Sequence, residues 1–157
     1  MMLPDMRELV PHAGPMVLLD RVVSVGDDML CAEVVITPQT LFCDGQGVGA
    51  WVGIEYMAQA VAAFAGYEAR QRGEAVQVGF LLGSRRYECT CSAFAVGSSL
   101  HVYALRTLQG ENGLGAFECH IEDAAKAGTA LATATITVFQ PDNVNEFLQG
   151  MSNEGAG

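Results

Sequence analysis

The sequence predicts an α+β domain in which an antiparallel sheet wraps one long central helix. Three observations carry that expectation. Residues 51–72 (WVGIEYMAQAVAAFAGYEARQR) form the longest helix-favouring run, rich in Ala, Met, Gln, Glu and Arg and free of proline. Over its first four turns this run is apolar on every side, so the helix must be enclosed by other elements or by lipid. Around it lie a hairpin and then four or so strand-like stretches, the segregated order of an α+β fold.

The elements follow in chain order. Residues 5–9 suit one helical turn after Pro4, and 11–15 (PHAGP) form a turn-rich loop. Residues 16–25 (MVLLDRVVSV) read as a strand, 26–28 as its turn, and 29–36 (MLCAEVVI) as the returning strand, closed by Pro38. Residues 42–49 (FCDGQGVG) form a glycine-rich loop leading into the long helix. Arg70 and Arg72 suit the helix C-terminus and Gly73 its cap. Residues 75–82 and 85–91 then resemble one long or broken strand, kinked near Gly83, with a turn at 97–99. A strand at 100–108 leads through the tight hairpin signal GENG at 110–113 to a strand at 114–121. After a turn at 124–128, the stretch 129–139 (TALATATITVF) alternates with a clean period of two. Residues 1–141 are expected to make one domain, with 142–157 a loose tail that adds a short helix around 146–148.

Composition narrows the function classes. The 157 residues suffice for one full core, and half of them are hydrophobic. A formal net charge of -10 argues against nucleic acid, whose phosphates attract Lys and Arg. The N-terminal stretch lacks the layout of a signal peptide, which points to the cytoplasm. The long helix is an unsuitable membrane span: its apolar part falls short of the roughly 20 residues required and carries Glu55 and Gln59. Five cysteines with no CxxC pair and few histidines give no metal-ligand pattern, and the expectation is buried or half-buried free thiols. Cys89 and Cys91, two apart in a strand, should share a face. No cofactor is implied.

Glu55 is the most informative residue. A carboxylate in an apolar helix is costly unless paired, hydrogen-bonded or protonated. Gln59 lies one turn later, within reach at i and i+4.

Two motifs resemble those of a known family. Residues 10–22 (VPHAGPMVLLDRV) resemble the Pro-His…Leu-Leu-x-Asp-Arg-Val opening of hot-dog-fold 3-hydroxyacyl-[acyl carrier protein] dehydratases. Residues 53–60 (GIEYMAQA) resemble their central-helix motif, and WVGIEYMAQA is typical of a FabZ-like branch associated with aryl-polyene and related lipid pathways. The resemblance extends from about residue 9 to 139. It implies a hot-dog fold and the dehydration of 3-hydroxyacyl thioesters, carried by acyl carrier protein or CoA, to trans-2-enoyl thioesters. It also implies roles. Glu55 protonates the departing hydroxyl, with Gln59 in support, and a buried carboxyl that keeps its proton suits that task. Amides around Ala50, Trp51 and Gly53 hold the thioester oxygen, as helix N-termini hold anions.

The chain departs from the family where its basic residue is expected. A Gly-His-Phe-Pro-Gly segment usually precedes the helix; here 42–47 read FCDGQG, without histidine, and Ala50 stands where glycine is usual. The base is then His12, or it comes from a neighbouring related subunit, or the chain has little activity and serves as a partner subunit. His12 could equally fix its loop by bonding a carbonyl. Asp44 stands in the loop where the base is usual, and Cys43 beside it would suit a thioesterase nucleophile only with a histidine near. His101 and His120 read as strand residues without a role, and Asp20 with Arg21 as a structural ion pair. Trp51 and Phe64 read as core or dimer contacts.

The implied partners are an acyl carrier protein or CoA substrate and a second hot-dog chain, identical or related. Carrier protein is acidic, so docking on this acidic chain needs a local basic patch, for which the adjacent Arg85 and Arg86 are the candidates. Acyl-thioester hydrolysis remains a third activity open to the same fold and the same Glu55.

Overall fold

A computed structural model of the chain describes residues 3–10, 14–74, 80–110 and 112–139. A four-residue helix, α1 (Met6–Leu9), opens it, N-capped by Asp5, whose carboxylate accepts from Arg7 N–H. Next come β1 (Arg21–Val25), β2 (Met29–Val35) and a short β3 (Gly47–Gly49). A 3-10 turn, Ala50–Val52, leads into α2, Gly53–Gln71. The second half holds β4 (Phe80–Cys89), β5 (Ala93–Ala95), β6 (Ser99–Gln109), β7 (Leu114–Asp123) and β8 (Ala130–Phe139). The main sheet is antiparallel and six-stranded, in the order β1-β2-β6-β7-β8-β4; β3 and β5 pair separately.

The sheet curls around α2 as the hot-dog expectation requires. Leu30, Val102, Ile121 and Ile136 project inward from four different strands and meet Met57, Ala60 and Phe64 of the helix. The opposite flank of α2 is less covered. Ile54, Glu55, Ala58, Ala62 and Ala65 are half-buried and, three or four apart, form one stripe. No described helix is long and apolar enough to cross a membrane.

Several expectations change on contact with the structure. The first strand begins at Arg21, not at residue 16, because Met16 and Leu18 give their backbone groups to a side chain on α2. Part of the glycine-rich loop is a strand: Gly47–Gly49 pairs antiparallel with Ala93–Ala95, and a Cβ at Gly47 would come 2.6 Å from Phe94 O. Helix α2 starts at Gly53, two residues later than expected. Trp51 is no core residue, being 66% exposed, whereas Phe64 is 1% exposed and meets Phe117 edge-on. β4 is irregular as expected, with pairing slips between Leu81 and Gly83 and between Arg85 and Glu88. The expected tail helix around 146–148, the domain limit at 141 and His12 lie outside the described residues.

Asp20 and Arg21 do not pair with each other. Neighbours along an extended chain point opposite ways. Asp20 Oδ2 accepts Val35 N–H at 2.7 Å, while Arg21 Nε donates to Glu33 Oε1 across β1 and β2 at 2.9 Å. Glu33 also meets His101 Nε2 at 3.0 Å. The Arg21 guanidinium, and secondarily His101, hold the Glu33 carboxyl below its ordinary 4.5. A depressed carboxyl contributes stability above its unfolded value, and that contribution is lost as pH falls through the folded value. Glu33→Gln is therefore expected to lower the thermal midpoint at pH 7 by about 2–4 °C. The gap should close below about pH 4 in melts at graded pH; an undiminished gap in acid would refute the pairing as its source.

Candidate active site

The start of α2 gathers most of the residues singled out in the sequence. Glu55 stands in the first turn, half-buried, on the stripe turned away from the sheet. The lone chain thus encloses it less than the sequence implies. Gln59, one turn on, is fully buried. Its Oε1 accepts Leu18 N–H at 2.8 Å, and its Nε2 donates to Met16 O at 2.7 Å and, more loosely, to Glu55 Oε1 at 3.4 Å. Buried amides survive in a core only when bonded in this way. One side chain thereby joins the segment before β1 to the acid on α2.

The amides at the helix start are unequally committed. Ala50 N–H donates to Ser92 O at 3.0 Å, and Gly53 N–H caps back onto Ala50 O. Both are spent inside the protein, unlike the free donors expected. The Trp51 amide, early in the 3-10 turn, has no acceptor within that turn. Tyr87, which the sequence did not single out, reaches this turn from β4 and donates its hydroxyl to Ala50 O. The slip between Arg85 and Glu88 gives residues 86 and 87 no regular partner on β8 and breaks the period of two that would reveal the direction of Tyr87.

Loop residues complete the surroundings. Asp44 Oδ1 accepts Gln46 N–H at 2.9 Å and Gly47 N–H at 3.0 Å, closing an Asx turn. Those two bonds hold its carboxyl below the ordinary carboxylate range. Cys43 Sγ accepts Gly45 N–H at 3.4 Å. Phe42 adopts φ 71° and meets Trp51 edge-on, centroids 5.4 Å apart, both rings exposed. A Cβ at Gly49 would sit 2.5 Å from Trp51 Nε1, so glycine lets the indole fold back there. Cys89 and Cys91 share a face as expected, sulfurs 3.5 Å apart.

A cleft of about 340 Å³ lies at the other end of α2, away from Glu55, lined among others by Phe64, Glu68, Arg72, Arg106 and Phe117. Arg106 is already engaged there by Glu68 at 2.6 Å and Asp28 at 3.1 Å, with its guanidinium 4.8 Å from the Phe64 ring centroid. Among the described residues no His, Cys, Asp and Glu cluster of three could hold a metal ion.

Replacing Gln59 by methionine keeps its bulk but strands Leu18 N–H and Met16 O. Each buried unpartnered group costs about 1–3 kcal/mol. Denaturant unfolding of Gln59→Met is expected to show a loss of about 2–4 kcal/mol; a loss under about 1 kcal/mol would mean the clamp carries little of the fold's stability.

Comparison with known proteins fits this geometry. The family described as ApeP-like, ApeP dehydratase, matches residues 4–149. A chain of the dehydratase heterocomplex ApeI:P from Xenorhabdus doucetiae is 33% identical and superposes with a TM-score of 0.83, over 96% of this chain and 99% of that one. Zebra fish thioesterase superfamily member 2 shares the fold at 14% identity, TM-score 0.64, over 84% of this chain and 90% of that one. The E. coli PaaI protein does so at 15% identity, TM-score 0.56, over 76% and 81%. No curated protein sequence matches the chain. With its acid-bearing central helix, its sheet and almost its whole length matched, the chain belongs to the ApeP-like dehydratase family.

Proposed function

We propose that the chain dehydrates 3-hydroxyacyl thioesters, held on acyl carrier protein or CoA, to trans-2-enoyl thioesters in a fatty acid or polyene lipid pathway. One observation carries the reading: Glu55 is set in the first turn of α2, backed by a buried Gln59, at the end of the helix where the Trp51 amide lacks an acceptor within its turn. A base removes the proton from the carbon beside the thioester carbonyl. The Trp51 N–H steadies the oxygen on which charge collects. Glu55 passes its proton to the hydroxyl on the next carbon, which leaves as water, and the double bond forms between the two carbons. Ala50 and Gly53 contribute by shaping the turn, and Asp44 by holding the loop that faces it.

His12 is the proposed base. Its support is the clamp on Gln59: Met16 O is tied to the residue one turn from Glu55. His12 precedes Met16 by four residues, a reach of at most about 14 Å. A second reading, in which a related hot-dog subunit supplies the base, has its own support. The stripe bearing Glu55 is half-buried in the lone chain, and the relative of 33% identity comes from a dehydratase heterocomplex. In either reading this chain supplies the acid and pairs with a second hot-dog chain across that stripe.

The two sources of base separate in one assay. A 3-hydroxyacyl thioester is offered to the chain alone and with a histidine-bearing hot-dog subunit, and enoyl absorbance is followed. Turnover by the chain alone that is abolished by His12→Ala supports the first reading; turnover only with the partner supports the second. Glu55→Gln is expected to lower kcat by about 10²- to 10⁴-fold in whichever preparation is active. Unchanged turnover would overturn the site assignment.

For a carrier-protein substrate the docking patch is Arg85 and Arg86 on β4. Arg21, Arg70, Arg72 and Arg106 are tied in ion pairs, whereas among the described residues Arg85 and Arg86 form none. Both are exposed, next to Tyr87, which touches the helix start, and Arg86 adopts φ 57°, uncommon for a residue with a side chain. Changing both to serine is expected to raise KM about 5- to 10-fold for carrier-bound substrate. A short pantetheine thioester should be turned over as before; an equal effect on both would count against docking.

A further inference from the structure

Ala50, just before α2, is held from both sides by a segment that lies about forty residues further along the chain. Its N–H donates to Ser92 O, and its carbonyl accepts the Tyr87 hydroxyl as well as Gly53 N–H. The carbonyl therefore points into the helix. The peptide joining Ala50 to Trp51 is trans, so its N–H points the opposite way, out of the helix start. Room for the phenol comes from Gly53, where any Cβ would collide with the Tyr87 hydroxyl and lie 3.2 Å from Phe94 Cζ and 3.3 Å from Ile121 Cδ1. Burial raises the Tyr87 phenol well above its ordinary range, with the neighbouring Cys89 thiol adding to the effect. It remains a neutral donor at any working pH.

We propose that Tyr87 is a positioning residue: by gripping Ala50 O, its hydroxyl aims the Trp51 N–H at the thioester oxygen. The inference rests on the dehydration assigned above. It adds a residue that touches neither substrate nor proton in flight. A donor that must be aligned before charge develops contributes through its preset direction. Removing the Tyr87 hydroxyl leaves Ala50 O with its bond from Gly53, so the turn persists but is free to swing. The loss then falls on the transition state rather than on substrate binding.

The test is Tyr87→Phe in the active preparation, alone or with the partner subunit. The expected result is a fall in kcat of about 10- to 100-fold with KM within about twofold. The thermal midpoint and the emission maximum of Trp51, the only tryptophan, should stay as in the parent. Gly53→Ala, which displaces the hydroxyl without deleting it, should lower kcat in the parent and add little to Tyr87→Phe. Wild-type kcat in Tyr87→Phe, additive losses in the double variant, or a fall in kcat accompanied by equal changes in KM and thermal midpoint would each overturn the proposal. Glu55→Gln serves as the control. If it abolishes turnover while Tyr87→Phe does not slow it, only the Tyr87 role fails; if turnover survives Glu55→Gln, the dehydratase reading itself fails.

Discussion

The architecture depends on a fully buried amide. Gln59 satisfies an N–H and a C=O of the segment before β1 while reaching Glu55 on its own helix. Without it, the segment before β1 would lose the partners of Leu18 N–H, which is buried, and of Met16 O, an arrangement folded chains avoid. The same bonds explain why β1 is short. Backbone groups that serve the amide are not available to a neighbouring strand. Fold and site thus share one connection, and neither can be altered there without disturbing the other.

A second constraint is the close approach of backbones, permitted by glycine. Gly47 lets β3 lie against the carbonyl of Phe94, and Gly53 admits the Tyr87 hydroxyl to the helix start. Both contacts join the entry to α2, residues 47–53, to residues 87–95 after it. The helix start is consequently held by covalently remote parts of the chain, which gives it the rigidity that a preset donor needs.

How much of this was legible in the sequence depends on the range of the interaction. Local signals served well. The proline-free Ala-rich run announced α2, the alternation in TALATATITVF announced β8, and the i, i+4 spacing tied Glu55 to Gln59. Signals that depend on distant partners did not. Gly47–Gly49 reads as loop because glycine is a poor strand former, and becomes β3 only when Ala93–Ala95 lies beside it. The Asp-Arg of the family motif suggests an ion pair between Asp20 and Arg21, yet neighbours in an extended chain point opposite ways and each finds another partner. The bonds from Gln59 to Leu18 and Met16 span 41 and 43 positions, beyond any periodicity. Tyr87 was hidden by a slip in strand pairing, which removes the alternation by which its direction would be read.

The contact between α1 and α2 has a consequence for how the chain breathes. At four residues α1 is too short to persist by itself, and it lies so close to α2 that a Cβ on Gly66 would overlap Leu9 O. It also buries Met6 and Leu9 in the core, and an exposed ion pair, Glu8 with Arg70, bridges 62 positions. An element held only by long-range contacts docks after the helix it leans on and detaches at lower cost than the sheet. The amides of α1 should therefore exchange with solvent before those of β6 and β7, through openings that leave the six-stranded sheet intact.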